Sequence, residues 1–128
     1  RSEIIRINDK TIILDAYNAN PSSMEKAIKS FSNLKGEKII ILGDMYEIGK
    51  ESSTEHKKII KLCEEIPNCK CIFIGEHFYI FSSTEKGSKF FKKKSDFYNS
   101  DLKVDENKIL IKGSRGMKME EILNYIKQ

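Results

Sequence analysis

The chain has 128 residues, of which 39% are hydrophobic, and its formal net charge is +4. This length and apolar content suit one globular domain with a core and exclude a disordered tail. No apolar run approaches the roughly 18 residues of a membrane span, and no signal-peptide pattern is present. Because the chain begins at Arg1 without methionine and enters strand-like sequence almost at once, we expect a single domain, residues 1–128, that is a fragment of a larger protein.

Short β-branched apolar runs predict the strands. The first two, Glu3–Ile7 and Thr11–Leu14, are separated by an Asn-Asp pair, which is a tight-turn signal and predicts a hairpin with an antiparallel edge strand. The later runs are Lys38–Leu42, Cys71–Ile74 and Lys108–Lys112. Continuous apolar runs of this length are typical of strands buried on both faces, as in a parallel sheet.

Helical periodicity lies between these runs. The first helix is predicted from Met24, Ala27, Ile28, Phe31 and Leu34. Asn20 can cap this helix, Pro21 suits its first turn, and Gly36 ends it. Further helices are predicted around Ile59–Ile66, after Gly75, within Ser95–Val104 and over Met119–Ile126. The alternation predicts an α/β fold: an open, mostly parallel sheet with an antiparallel N-terminal edge strand and helices on both faces.

The densest basic segment is Lys86–Lys94, KGSKFFKKK. Lysines interleaved with phenylalanines could indicate a nucleic-acid surface. The residues Lys89–Phe91 are equally typical of a short strand with solvated lysines behind it. We favour the strand and expect no nucleic-acid partner.

Three cysteines, Cys63, Cys69 and Cys71, are present. An odd count without a secretory signal predicts reduced thiols in the cytoplasm. The C-x-C spacing of Cys69 and Cys71, with no histidine nearby in sequence, does not suit zinc, so we expect no metal site. Cys63 and Cys71 lie in apolar runs and are expected in the core.

Polar side chains follow every predicted parallel strand. They are Asp15, Tyr17, Asn18 and Asn20 after the first, Asp44 after the second, Glu76 after the third, and Lys112, Ser114 and Arg115 after the last. The carboxyl ends of parallel strands share one edge, where ligands bind in open α/β sheets, and helix N-termini at that edge favour anions. We therefore predict one ligand crevice. Ordinary turn chemistry explains the glycines there, but it explains the segments DAYNANP and KGSR less well.

No nucleotide-phosphate loop is present. The nearest candidate, Gly43–Glu51, has five residues between its glycines and a glutamate where a hydroxyl is needed, so it does not match the phosphate-loop motif. His56 shares the apolar side of its helix, which favours a packed histidine, although its place near the crevice leaves a ligand contact open. His77 is expected at the surface. No nucleophile arrangement is visible, so no catalytic residue is predicted in this domain alone.

Four features together resemble the Mur ligase family: DAYNANPSSMEKAI, ILGDMYEIGKES, the following His56, and ILIKGSRGMKMEEIL. The resemblance is to the C-terminal domain of the members that add D-alanyl-D-alanine. It covers nearly the whole chain in the right order, but the segment Phe78–Asn107 carries no motif of the family.

The resemblance implies a three-domain cytoplasmic enzyme of peptidoglycan synthesis. Its N-terminal domain would hold UDP-N-acetylmuramoyl-tripeptide, and its central domain would carry the ATP phosphate loop and the Mg²⁺ ligands. The Rossmann-like C-terminal domain would close over the nucleotide and help bind D-Ala-D-Ala. ATP would activate the tripeptide carboxylate as an acyl phosphate, which the dipeptide amine attacks. We expect a monomer, and an isolated fragment without activity.

The resemblance also implies roles by position. The nucleotide would contact Asp15, Tyr17 and Asn18; the substrate would contact Asn18, Asn20, Ser114 and Arg115; Asp44, His56 and Lys112 are weaker candidates. Helix capping is the alternative role for Asn20 and Asp44.

Two alternatives stay open from the residues. One is the C-terminal domain of a folylpolyglutamate-synthase-like ligase, against which YNANP together with KGSRGM argues. The other is a non-catalytic α/β binding or regulatory module. A receiver-type domain would use Asp15 and Asp44 as an acidic cluster, but KGSR and YNANP would have no role in it.

Overall fold

The computed structural model describes residues 2–83 and 87–127. Within them the strands are β1 (Glu3–Ile7), β2 (Lys10–Asp15), β3 (Lys38–Gly43), β4 (Cys69–Ile74), β5 (Lys89–Phe91) and β6 (Lys108–Lys112). The α-helices are α1 (Pro21–Ser32), α2 (Ser52–Glu64), α3 (Glu76–Tyr79), α4 (Lys94–Asn99) and α5 (Ile122–Ile126). Short 3₁₀ turns occupy Gly49–Glu51, Arg115–Met117 and Met119–Glu121. None of the helices in these two ranges has the length and apolar content to cross a membrane.

The described strands form a six-stranded sheet in the order β1-β2-β6-β3-β4-β5. Strand β1 pairs with β2 in antiparallel orientation at one edge, and the remaining pairs are parallel. The predicted fold class is therefore confirmed, including the antiparallel N-terminal edge. The predicted hairpin turns at Asn8, whose φ of 55° is a conformation that asparagine tolerates well.

Helices cover both faces of the sheet. On strand β3, Ile40 and Leu42 face α1 and α2, whereas Ile39 and Ile41 face α4 and α5, and all four are buried. This is the burial pattern of a central parallel strand with two covered faces. Cys63 and Cys71 are buried, as predicted, and Cys69 is partly buried.

One part of the chain departs from the sequence expectation, and the basic segment agrees with it. The predicted helix over Met119–Ile126 is a 3₁₀ turn followed by the short α5, and the residue before it, Lys118, has a left-handed backbone with φ 51°. A helix therefore cannot extend back through Lys118, and the chain enters α5 through a 3₁₀ turn of the kind that is frequent at α-helix N-termini. The basic segment contains β5, as predicted, with Lys92 and Lys93 exposed behind it. Its first residue, Lys86, lies outside the described residues.

Candidate functional site

The loops that follow the parallel strands are joined at the carboxyl edge of the sheet. The Ser114 amide donates to the Asp44 carbonyl at 3.0 Å, and the Asp44 amide donates to the Ile74 carbonyl at 3.1 Å. These bonds continue the strand ladder beyond the strand ends and connect the loops after β3 and β6 to the end of β4 in one continuous rim. We call this edge the rim.

A buried ion pair joins β2 and β6 at the rim. Lys112 Nζ donates to Asp15 Oδ2 at 2.8 Å and to the Asn18 carbonyl at 3.0 Å. The Lys112 side chain is 1% exposed and that of Asp15 13%. Asp15 and Lys112 are register partners across parallel strands, which brings their side chains together on one face. Lys112 was a weaker candidate for ligand binding; its ammonium group is used to hold Asp15 and the Asn18 segment.

The end of β2 divides the predicted crevice into two recesses. Side chains alternate along a strand, so Asp15 faces the α1 side of the sheet while Leu14 and Ala16 face the other side. Asp15 borders a mostly apolar groove of about 410 Å³ beside α1. Tyr17 and Arg115 border a separate cleft of about 470 Å³ that contains Leu14 and Ala16. The expectation of one crevice was too simple, because it took no account of this alternation.

Arg115 and Tyr17 meet above the second recess. The guanidinium carbon lies 5.2 Å from the centroid of the Tyr17 ring, which is within the range of a cation–π contact. Both side chains are exposed, Tyr17 to 50%. The contact orients the guanidinium group while leaving its N–H donors able to reach a carboxylate or phosphate.

Ser114 is buried and joins three loops of the rim. Its Oγ accepts from the Tyr46 amide at 2.7 Å and lies 3.4 Å from the Ala19 carbonyl, to which it donates. Both hydrogen-bonding roles of the hydroxyl are therefore used within the chain. The predicted substrate contact at Ser114 has no support from this geometry; the residue fixes the turn that carries Arg115.

Asn20 and Asn18 differ in whether their side chains take part in helix capping. The Asn20 side-chain oxygen accepts from the Ser23 amide at 2.9 Å, and the Asn20 amide donates to Ser23 Oγ at 3.1 Å. This is a capping box at the start of α1, so helix capping accounts for the oxygen of Asn20. Asn18 is exposed beside the ion pair, and its side chain stands at the surface of the rim.

Asp44 is 2% exposed and caps a helix distant in sequence. Its Oδ2 accepts from the His77 amide at 2.9 Å and its Oδ1 from the Phe78 amide at 3.0 Å. Burial raises the pKa of the Asp44 carboxyl above its usual value, although the two amide donors act in the opposite direction. Helix capping is thus the observed role of Asp44, and the helix is α3.

His56 is fully buried between α2 and the loop after β3. Its Nε2 lies 3.0 Å from the Met45 amide nitrogen and its Nδ1 2.7 Å from the Ser52 carbonyl oxygen. An amide N–H can only donate and a carbonyl can only accept. The network therefore assigns the neutral ring with hydrogen on Nδ1. Burial lowers the pKa of His56, and both ring nitrogens are occupied, so the packed histidine is the observed state.

We expect neutral His56 to make the domain acid-sensitive. Its folded-state pKa lies below the ordinary value of 6.5, so the unfolded chain takes up more protons as the pH falls. The stability contributed by the neutral ring is complete above pH 6.5 and is lost below it, with a limiting slope of about 1.4 kcal/mol per pH unit. Asp44, whose Oδ1 lies 3.9 Å from Nε2, opposes this shift, as does Glu55, whereas His77 reinforces it.

Urea unfolding of the chain and of His56→Gln from about pH 7.5 to 5.5 measures this effect. Other titrations are common to both proteins and cancel in the difference between them. The free energy of unfolding of the parent should fall toward that of the variant on acidification. A difference that stays constant over this range would contradict the prediction.

Two rim residues were missed by the sequence reasoning. His77 is exposed, as predicted, but its ring stacks on His56 with centroids 5.2 Å apart. Tyr46 is 40% exposed. Together with Lys92 and Lys93 they border a third recess of about 340 Å³. Tyr46 and His77 each lie three residues after the end of a strand, β3 and β4 respectively. That position in the sequence could have identified them as rim residues. In the part of the chain that the structure describes, no group of three or more His, Cys, Asp or Glu could hold a metal ion.

Comparison with known proteins gives related ligases. A relative from Buchnera aphidicola subsp. Baizongia pistaciae, "UDP-N-acetylmuramoyl-tripeptide–D-alanyl-D-alanine ligase", is 41% identical over 98% of this chain and 28% of its own length. The relative of the same name from Escherichia coli K12 is 27% identical over 97% of this chain and 28% of its own length. The chain therefore spans less than a third of these curated relatives.

Solved structures of ligases share the fold of this chain. A crystal structure of MurF from Acinetobacter baumannii superposes with a TM-score of 0.83 and 25% identity, over 98% of this chain and 29% of that one. The family model described as "Mur ligase, glutamate ligase domain" matches residues 1–88, which include the hairpin, Asp15, the capped α1 and the Asp44 loop. The chain belongs to the Mur ligase family.

Proposed function

We propose that this chain is the C-terminal domain of a three-domain UDP-N-acetylmuramoyl-tripeptide–D-alanyl-D-alanine ligase, an enzyme of the cytoplasm that acts in peptidoglycan synthesis. The complete enzyme would use ATP and Mg²⁺ to join D-Ala-D-Ala to the tripeptide. The observation that supports this best is the rim constellation: Lys112 holds Asp15 and the Asn18 segment beside a turn that presents Arg115 over Tyr17. These residues lie in the segments that resemble the ligases.

The chain fits only one part of ATP. The chain has no phosphate-loop motif, and the family resemblance implies that the central domain would hold the triphosphate and Mg²⁺. The fixed Asp15 carboxylate, at the mouth of the groove beside α1, suits a ribose hydroxyl as donor, with Asn18 nearby. Tyr17 borders the other recess, so this geometry does not support the predicted nucleotide contact of Tyr17. A ligase of this fold from Thermotoga maritima, 17% identical, was solved in complex with ADP.

The rim residues would contribute binding and orientation. ATP supplies the phosphoryl group that turns the tripeptide carboxyl into an electrophile. Arg115 would bind a carboxylate of the incoming substrate, and the exposed amides of Asn18 and Asn20 would donate to it. Closure of this rim over the other domains would exclude water and align the amine for attack.

Phosphate release by the complete ligase tests the proposal. Release should require ATP, UDP-N-acetylmuramoyl-tripeptide and D-Ala-D-Ala together, and the 128-residue chain alone should give none. Asp15→Asn should raise the KM for ATP by about tenfold, the effect expected for one lost charged hydrogen bond. Asp9→Asn, an exposed acid in the hairpin turn, is the matched control.

Two results would count against the proposal. If the complete protein releases no phosphate that depends on D-Ala-D-Ala, the assigned reaction is wrong. If the reaction occurs but Asp15→Asn has the KM for ATP of the control, the nucleotide role of Asp15 is wrong and the reaction stands.

A further inference from the structure

A second large cleft lies at the opposite edge of the sheet, where the parallel strands begin. It measures about 870 Å³, and its charged lining residues are Glu37, Lys38, Lys70, Asp105 and Glu106. Glu37 directly precedes β3, and Glu106 lies two residues before β6. We call this recess the amino-edge cleft. It is at the far end of the strands from the rim, so it is separate from the proposed contacts with ATP and D-Ala-D-Ala.

Backbone hydrogen bonds join the loops that enter the strands at this edge. The Lys38 amide donates to the Asn68 carbonyl at 3.3 Å, and the Lys108 amide donates to the Glu37 carbonyl at 3.0 Å. Strand β3 lies between β4 and β6 in the sheet. The loops before these three strands are therefore connected through their backbones, and together they carry the charged side chains of the cleft.

Glu106 is buried in the wall of this cleft with one carboxylate oxygen unpaired. The residue is 5% exposed, and its Oε2 lies 2.8 Å from Lys70 Nζ, whose side chain is 74% exposed. Because Lys70 also lines the cleft, its ammonium group reaches the carboxylate from the cleft side. Within residues 2–83 and 87–127, the buried atom Glu106 Oε1 has no hydrogen-bond partner. Burial of a charged acceptor without a donor is costly, so this atom points to a ligand that donates hydrogen bonds.

Three carboxylates act on the exposed ammonium group of the cleft. The hydrogen bond and charge of Glu106 raise the pKa of Lys70, and the charges of Asp105 and Glu37 act in the same direction. In the part of the chain that the structure describes, Glu37 and Asp105 take part in no ion pair. One ammonium group therefore faces three acids, of which two are otherwise uncompensated.

The second lysine of the cleft is used within the chain. Lys38 is 7% exposed, and its Nζ donates to the carbonyls of Leu34 at 3.0 Å and Gly36 at 3.4 Å. These carbonyls follow the end of α1, and α2 also ends toward this edge, where the partial charge of a helix is negative. The amino edge therefore favours cations, in contrast with the anion-favouring helix starts at the rim.

The acceptors select the kind of cation. Among the described residues no group of three or more His, Cys, Asp or Glu has the arrangement to hold a metal ion, which disfavours a divalent metal here. The Lys70 ammonium group satisfies one oxygen of Glu106 and leaves the other unpaired. A guanidinium group is planar, is less strongly hydrated than an ammonium group, and presents a fork of N–H donors that pairs with both oxygens of a carboxylate. The volume of the cleft is in the range of small-ligand sites.

We propose that the amino-edge cleft binds a guanidinium group, whose N–H groups donate to both carboxylate oxygens of Glu106 in place of Lys70. Glu37 and Asp105 then supply the remaining negative charge around the ligand. Lys70 is a competitor built into the chain, because its ammonium group occupies Glu106 Oε2 until the ligand displaces it. A free guanidino compound and an arginine side chain of a protein carry the same chemistry, and the experiment separates these two sources.

NMR titration of the 128-residue chain measures this binding. The probes are N-acetylagmatine, a free guanidino compound, and acetyl-Gly-Arg-Gly-amide, which presents an arginine side chain in a peptide. The same peptide with citrulline in place of arginine keeps the shape and lacks the charge. The arginine peptide should shift the amides of Glu37, Lys70 and Glu106, and the citrulline peptide should bind about tenfold more weakly.

Three variants identify the carboxylate. Glu106→Gln should weaken binding of the arginine peptide about tenfold, since a charged pair is replaced by a neutral one. Glu65→Gln, an exposed acid that does not line the cleft, should leave the affinity unchanged. Lys70→Met should strengthen binding about tenfold, because it removes the competing ammonium group. A Glu106–Lys70 pair with a purely structural role predicts no such gain, so Lys70→Met decides the question even if Glu106→Gln fails to fold.

The outcomes decide the assignment without reference to turnover. Equal affinities of the arginine and citrulline peptides, or no gain in Lys70→Met, would overturn it. A lysine peptide that binds as tightly as the arginine peptide would overturn the choice of a guanidinium group. If the assignment holds, N-acetylagmatine that matches the arginine peptide identifies a free guanidino compound as sufficient, and weaker binding of N-acetylagmatine identifies a protein arginine as the better ligand.

Discussion

Asp15→Ala should lower the free energy of unfolding by about 3 to 5 kcal/mol, the cost of leaving a buried charge without its partner. The Lys112 side chain is 1% exposed in the folded chain, and its ammonium group donates to Asp15 and to the Asn18 carbonyl. Removal of the carboxylate leaves that cation with one neutral acceptor and no access to water. Chemical denaturation of the chain and its variant measures the change.

The reverse substitution should cost less, because the two partners are unequally buried. Lys112→Met leaves the Asp15 carboxylate, whose side chain is 13% exposed, at a surface where water can reach it, so we expect a loss of about 1 to 2 kcal/mol. The double variant Asp15→Ala/Lys112→Met should recover most of the loss caused by Asp15→Ala. Equal losses for the two single variants would contradict the burial argument.

This asymmetry affects how the nucleotide role of Asp15 is tested. An alanine variant would weaken ATP binding through instability as well as through the lost acceptor. Asparagine keeps an oxygen that can accept from Lys112 Nζ, and it is therefore the better probe of the KM for ATP. The same carboxylate is both a structural partner and the candidate ligand contact.

The sequence predicted the fold well because local signals were strong. Alternating β-branched runs and capped helices predicted the α/β order, the antiparallel hairpin and the Asn20 cap, and all of these are present. The position of Asp15 and Arg115 at strand ends was equally readable, since it follows from where the apolar runs stop. These features depend on residues close together in the chain.

The partners of the polar side chains were not predictable in the same way. Asp15 contacts Lys112 only because β2 lies beside β6 in the sheet. The sequence of neither strand predicts that strand order. Asp44 caps a helix that starts more than thirty residues later, so a capping motif read locally could not find it. His77 was expected only at the surface. Its stacking on His56 was not predictable, because it depends on how α3 packs against α2.

Gly75→Ala should be the most damaging single methyl addition at the rim, with a loss of about 3 to 5 kcal/mol from backbone strain and a broken buried network. Gly75 has φ 130°, and a β-carbon there would lie 2.2 Å from Asp44 Cγ. The Asp44 carboxylate is itself held by the His77 and Phe78 amides. It cannot move aside without giving up both hydrogen bonds.

Gly49→Ala separates the strain from the clash. Gly49 also has a positive φ, 78°, but a β-carbon there would meet no atom within 4 Å, so only the backbone cost of about 1 kcal/mol applies. The difference between the two variants in urea unfolding measures the contact between Gly75 and Asp44. Equal losses of unfolding free energy in the two variants would show that the Asp44 side chain moves aside without a measurable loss of stability. The loop after β3 would then be too compliant to hold Ser114 and the Arg115 turn in one position, which is the rigidity that the proposed substrate contacts require.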